Sequence, residues 1–242
     1  MGRVHLLRLL RLDRITGLAA VLVLAVVVAP GSGASARAPG PASAAAGRGA
    51  DVVLLGDSVT EQAFGYLGGP TAGAPAHLHR WSRTGWTLRN AADHAGAALS
   101  SSRTGTLVIA LGPNDAAPWD HGWNHDDVTR WRRVLAGAAP ATCVAVVLPG
   151  WGAPLRGTVW EHDLRRMRSA VDGLVAARRA TGSPTVELDW LPVTGRHPGY
   201  LAPDGIHLAT TAAATARQSL YWQAVGRCAA TPTPATPADG TA

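Results

Sequence analysis

Lysine is absent from this 242-residue chain. That absence removes a Walker-type phosphate loop, a Schiff-base lysine and a Ser-Lys dyad, since each depends on the amine. Phenylalanine occurs once, so the aromatic content falls to nine tryptophans and three tyrosines. Charged residues make up only 16% against 47% hydrophobic, which excludes a disordered, collagen-like or acidic-tail protein and leaves material for a sizeable core. No hydrophobic run after residue 29 is long enough to span a bilayer, and cysteine occurs twice.

The formal charge of +6 is carried by arginine alone. About half of it lies near the start, where Arg3, Arg8, Arg11 and Arg14 face only Asp13. Later arginines fall in pairs on expected helices (Arg132 and Arg133, Arg165 and Arg166, Arg178 and Arg179). That pattern reads as a solvated helix face, and no DNA- or RNA-binding module accompanies it, so no nucleic-acid partner is expected.

The basic start leads into an apolar run over 15–29, which ends at Pro30 and is followed by Ala34-Ser35-Ala36. A run of that length before a small-x-small site reads as a secretory signal, 1–36, cleaved after Ala36; an uncleaved signal anchor is the alternative. Either form places the remainder outside the cytoplasm, with no other membrane contact expected. Residues 37–49, rich in Ala, Gly, Pro and Ser, read as a flexible linker and 229–242 as a disordered tail. One domain over 50–228, about 180 residues, remains. In an exported chain Cys143 and Cys228 favour a disulfide over two buried thiols. If Cys143 opens a strand and Cys228 closes a helix antiparallel to it, both lie at one edge of the sheet.

Short apolar runs bounded by turn residues recur at 51–55, 106–111, 142–148 and 185–188, with a weaker one at 77–82. These read as buried parallel strands. Between them, Val128, Trp131, Leu135 and Ala138 share one helical face, as do Trp160, Leu164, Met167, Val171 and Leu174. Alternating strands and helices predict an α/β fold, a three-layer αβα sandwich around a central parallel sheet of about five strands. Ligands of such sheets bind beyond the carboxyl ends of the strands.

Chemistry-bearing residues cluster at those ends. Directly after the first strand comes Gly56-Asp57-Ser58-Val59-Thr60, a strand-to-helix turn that exposes a hydroxyl beside free backbone N–H groups. Gly112-Pro113-Asn114-Asp115 follows a later strand, and its amide can donate a hydrogen bond. Ahead of the last helix lies Asp204-Gly205-Ile206-His207, where a carboxylate three residues before an imidazole can hold the ring's tautomer. Nucleophile, base and orienter are the parts needed to activate a hydroxyl.

In order and spacing these blocks resemble the SGNH (GDSL-like) hydrolase family over nearly all of 50–228. The resemblance implies a flavodoxin-like sandwich and an exported serine esterase without cofactor or metal. It implies Ser58 as nucleophile, His207 as general base and Asp204 as its orienter, with an oxyanion hole formed by Ser58, Gly85 and Asn114. Gly85, in Arg83-Thr84-Gly85-Trp86, is chosen because Gly65, Gly68 and Gly69 fall too close to the first helix. The Gly-x-Ser-x-Gly elbow of the α/β-hydrolases is absent.

Other groups are read without special chemistry. His121 and His125 have the spacing of a zinc-protease helix, but Gly122 stands where the general-base Glu belongs, so no metal is expected. Asp57 and Asp115 flank the site and are expected to support loop hydrogen bonds. Trp86, Trp119, Trp123, Trp151 and Trp190 all follow expected strand ends, which predicts an indole-lined cleft for a small-molecule or glycan ester; an acyl chain or simple packing would suit the same rings. A monomer is expected. An acyltransferase using the same triad and a non-catalytic glycan-binding module are the competing functions.

Overall fold

The computed structural model describes residues 51–100, 104–138 and 142–231. The expected signal segment, the linker and almost all of the expected tail lie outside these residues. Five parallel strands form one sheet in the order β2-β1-β3-β4-β5. They are β1 (Asp51–Gly56), β2 (Leu78–Ser82), β3 (Thr104–Ala110), β4 (Cys143–Leu148) and β5 (Thr185–Asp189). The helices are α1 (Ser58–Gly65), α2 (Leu88–Ser100), α3 (His125–Gly137), α4 (Val159–Ala180), α5 (Leu191–Arg196) and α6 (Thr211–Ala230).

β1, β3 and β4 read as continuous apolar runs because helices cover both of their faces. Leu54, Leu55, Leu107, Ile109, Val144 and Val147 are accordingly sealed from solvent. Each such side chain contributes on the order of 1.5–3 kcal/mol by leaving water. α2, α3 and α4 pack in sequence along one layer, while α1 and α6 pack on each other in the other layer. That segregation follows from right-handed crossovers. The chain first steps from β1 to β2 in one direction, then returns past β1 to β3, β4 and β5 in the other. The reversal opens a crevice between the carboxyl ends of β1 and β3, where an open α/β sheet binds its ligands.

Cys143 at the start of β4 and Cys228 near the end of α6 form a disulfide, with a Cα–Cα distance of 5.6 Å across 85 residues of sequence. α6 continues to Ala230, two residues beyond the expected domain end. The arginine pairs are less uniform than expected. Arg178 is buried and donates to the carbonyls of Leu135, Ala138 and Thr142, capping the end of α3. Its neighbour Arg179 donates to the Thr185 carbonyl. A helix face that must close a neighbouring helix is not a solvated one.

Candidate active site

Ser58 occupies the first position of α1, directly after its N-cap. Asp57 caps the helix by accepting the Val59 N–H at 2.9 Å. The strand can turn this sharply because Gly56 has no Cβ, which would otherwise run into the side chain of Thr60. The Ser58 N–H, at the first helical position, has no carbonyl within the helix to bond. The residue is only 8% exposed, so Ser58 is largely withdrawn from solvent.

Across the crevice, the segment before α6 supplies the imidazole. His207 Nε2 lies 2.9 Å from Ser58 Oγ, and His207 Nδ1 lies 2.6 Å from Asp204 Oδ2. Asp204 Oδ1 meanwhile accepts the N–H groups of Ile206 and His207. Partial burial opposes ionisation of this carboxyl, but the Ile206 N–H, the His207 ring and the His207 N–H outweigh it and hold Asp204 below the usual carboxylate range. An ionised Asp204 fixes the proton on Nδ1 and leaves Nε2 free to accept from the serine. Three residues separated by up to 149 positions thus form one hydrogen-bonded chain.

Gly85 and Asn114 come from different loops but line the same cavity, of about 440 Å³, together with Thr87, Arg89 and Trp119. Asn114 Nδ2 donates one hydrogen to the Trp86 carbonyl at 3.1 Å, which leaves its second hydrogen available. Gly85 has φ of 78°, a left-handed conformation that glycine adopts without cost, and its N–H has no acceptor among the described residues. Asp115 ties the two loops together by accepting the Leu88 N–H at 2.9 Å. Trp160, on α4, donates from Nε1 to the Pro113 carbonyl at 3.0 Å and so holds the residue preceding Asn114. The shared helical face expected for Trp160 does not reveal this contact, which depends on where α4 passes the loop.

Two buried carboxyls sit beneath the site. Burial pushes Asp57 up to about 6, a rise partly offset by the charge of Arg217 and the N–H groups of Val59 and Thr60. Burial, opposed only by the Leu88 N–H and reinforced by Asp127, Asp57 and Asp120, pushes Asp115 up to about 8. Both support loops, as expected. Arg217 is itself buried on α6 and donates from Nε to Tyr221, whose hydroxyl lies 2.8 Å from Thr60 Oγ1. This chain braces the first turn of α1 from behind, and nothing in the residue pattern announced it.

The tryptophans correct the expected rim. Trp190, Trp123 and Trp151 are buried, and Trp190 retains 1% exposure, too little to offer a ring face to a substrate. Trp151 spends its N–H on Glu161 and borders a separate cavity of about 480 Å³ beside Gly205. Trp86 is half-buried and stacks on His94. Trp119 alone of the five is open, at 68% exposure, standing edge-on to Trp160 in the wall of the Gly85–Asn114 cavity.

No family model matches the chain, and no curated protein matches it in sequence. Solved structures do match. The C-terminal catalytic domain of peptidoglycan O-acetyltransferase A from Streptococcus pneumoniae is 20% identical with a TM-score of 0.56, the match covering 76% of this chain and 96% of that one. An acetylxylan esterase from Geobacillus stearothermophilus is 12% identical with a TM-score of 0.57, covering 74% and 94%. A lipase/acylhydrolase from Enterococcus faecalis is 15% identical with a TM-score of 0.55, covering 73% and 95%. At these identities the likeness establishes architecture: the chain has the fold of the SGNH (GDSL-type) hydrolases.

Proposed function

We propose that the protein is a serine esterase that removes short acyl groups from a small-molecule or glycan ester through an acyl-enzyme on Ser58. The observation that carries this reading is the unbroken Ser58–His207–Asp204 chain, with contacts of 2.9 and 2.6 Å. His207 Nε2 takes the hydroxyl proton as Ser58 Oγ attacks the ester carbonyl, and returns it to the departing alcohol. The tetrahedral oxyanion rests on the Ser58 N–H, the Gly85 N–H and the second Asn114 amide hydrogen. Losing one such donor costs on the order of 10²–10³ in turnover. Water, deprotonated by His207, then releases the acyl group as its carboxylic acid and restores Ser58.

The open indole of Trp119 favours a sugar, since a flat apolar face suits a pyranose ring. The polar company of Thr87, Arg89 and Asn114 favours hydroxyls over a long acyl chain. Acyl transfer to a second alcohol uses the same groups, and one structural neighbour is named as an O-acetyltransferase. The segment at 1–36 and the disulfide both favour action outside the cytoplasm.

Hydrolysis of short-chain p-nitrophenyl esters by the wild type and by Ser58→Ala tests the reading, with mass spectrometry after a serine-reactive phosphonate. The expected result is a single adduct on Ser58 and loss of turnover in the variant. Activity that survives Ser58→Ala overturns it. Adding a sugar acceptor and analysing the products separates hydrolysis from transfer.

A further inference from the structure

α1 presents more than the hydroxyl to the segment that carries the imidazole. Ser58, Gln62 and Tyr66 follow at intervals of four residues, which stacks them along one face, a turn apart. His207 and Leu208 run alongside that face. Gln62 Oε1 accepts the Leu208 N–H at 2.8 Å, and the Tyr66 hydroxyl donates to the Leu208 carbonyl at 3.2 Å. With the contact between Ser58 and His207, these are the direct hydrogen bonds between α1, its Tyr66 cap and residues 200–210 among the described residues.

Several of the segment's other bonds run within it, and at the far side the Gly205 carbonyl accepts the Gly152 N–H at 2.8 Å, tying it to the loop after β4. Ala202 N–H donates to the His207 carbonyl and Ala209 N–H to the Tyr200 carbonyl, so 200–209 folds as a small unit. The Leu208 side chain is buried and draws that unit toward the core. Apolar packing is non-directional, so it holds the unit close to α1 without choosing its height along the helix axis. The Gly152–Gly205 bond anchors the side away from α1, and on the α1 side two directional contacts on the main chain of one residue choose the height.

We propose that Gln62 and Tyr66 are positioning residues: they grip both polar groups of Leu208 and thereby set the height of His207 along α1, so that the imidazole meets Ser58 before any substrate arrives. This rests on the reading of Ser58 and His207 as nucleophile and base. A misplacement of about 1 Å at a reacting pair costs on the order of 10² in rate, so a register error of a fraction of a turn is enough to matter.

The test uses the purified protein and three variants, Gln62→Met, Gln62→Glu and Tyr66→Phe. It measures kcat and KM on p-nitrophenyl acetate, the second-order rate of Ser58 modification by the phosphonate, and thermal unfolding as a control for folding. Gln62→Met is expected to lower kcat and the phosphonate rate together, by about ten- to a hundred-fold, with KM unchanged. Tyr66→Phe falls in the same direction by less, and Gln62→Glu, which keeps an acceptor oxygen at the same reach, restores most of the loss. In a His207→Ala background Gln62→Met has no further effect, because the group whose place it sets is gone.

A folded Gln62→Met protein with wild-type kcat overturns the proposal, as does an equal loss in the His207→Ala background. If Gln62→Met fails to fold, Tyr66→Phe decides, and a wild-type phosphonate rate there overturns it. A wild type no faster than Ser58→Ala and unlabelled by the phosphonate is a distinct result, which defeats the underlying catalytic reading itself.

Discussion

Asp115 shows how a single buried side chain can tie together two loops of the candidate site. It is 3% exposed, one oxygen receives the Leu88 N–H, and the other has no hydrogen-bond partner among the described residues. A carboxylate in that position would be costly, and the group answers by keeping its proton, with burial pushing it up to about 8. The consequence for stability has a definite sign. Between the unfolded value of 3.8 and about 8 the folded chain holds a proton that the unfolded chain gives up, so stability falls as pH rises through that window. Asp57 acts in the same direction up to about 6. Asp115→Asn keeps an acceptor for Leu88 and removes the titration. Its melting temperature relative to wild type should therefore rise steadily from about pH 5 to about pH 8 and level off above. A constant difference across that range, measured by thermal unfolding in matched buffers, would contradict the assignment.

Among the elements, α4 and α1 matter most to the site, each through contacts that amphipathic patterning does not reveal. The expected apolar face of α4 is present in Leu164, Met167 and Val171, which are sealed in the core. Trp160 lies at the start of that face, yet its indole N–H reaches the Gly112–Asn114 loop. Gly112 admits the same helix more closely still: its φ is 136°, and a Cβ there would strike the Met167 side chain. Trp160→Phe preserves most of the packing and deletes only the bond to Pro113. The expected outcome is about a tenfold loss of kcat on p-nitrophenyl acetate with little change in melting temperature, because the Asn114 donor loses its support. An unchanged kcat would show that the loop holds itself.

At the scale of the whole molecule, the disulfide joins the first residue of β4 to the last turn of the final helix, the helix that braces α1 through Arg217, Tyr221 and Thr60. Closing 85 residues restricts the unfolded chain by up to about 4–5 kcal/mol in the chain-entropy account. A Cys143→Ala, Cys228→Ala protein should melt roughly 10–20 °C lower, the shift that such a loss implies for a domain of this size. The proposed esterase activity should persist below that temperature, since the bond lies at the end of the sheet opposite Ser58 and His207. Loss of activity without loss of stability would show that the bond acts on the site.

The sequence by itself determined the strands of the sheet and the residues of the proposed triad. Buried parallel strands need unbroken apolar runs, and the runs at β1, β3, β4 and β5 lie within two residues of their expected limits. The proposed triad needs particular atoms, and the motifs carry them in the hydroxyl of Ser58 and the imidazole of His207. Only the tertiary structure decided which tryptophans are open, because exposure depends on what packs over a ring: Trp190 and Trp119 both follow strand ends, yet one is sealed and the other stands free. It alone decided the contacts of Gln62, Trp160 and Arg217, whose polar atoms meet partners far along the chain, on another element or a turn away. Periodicity records which face of an element is apolar; a directional bond between two elements exists only once both have been placed.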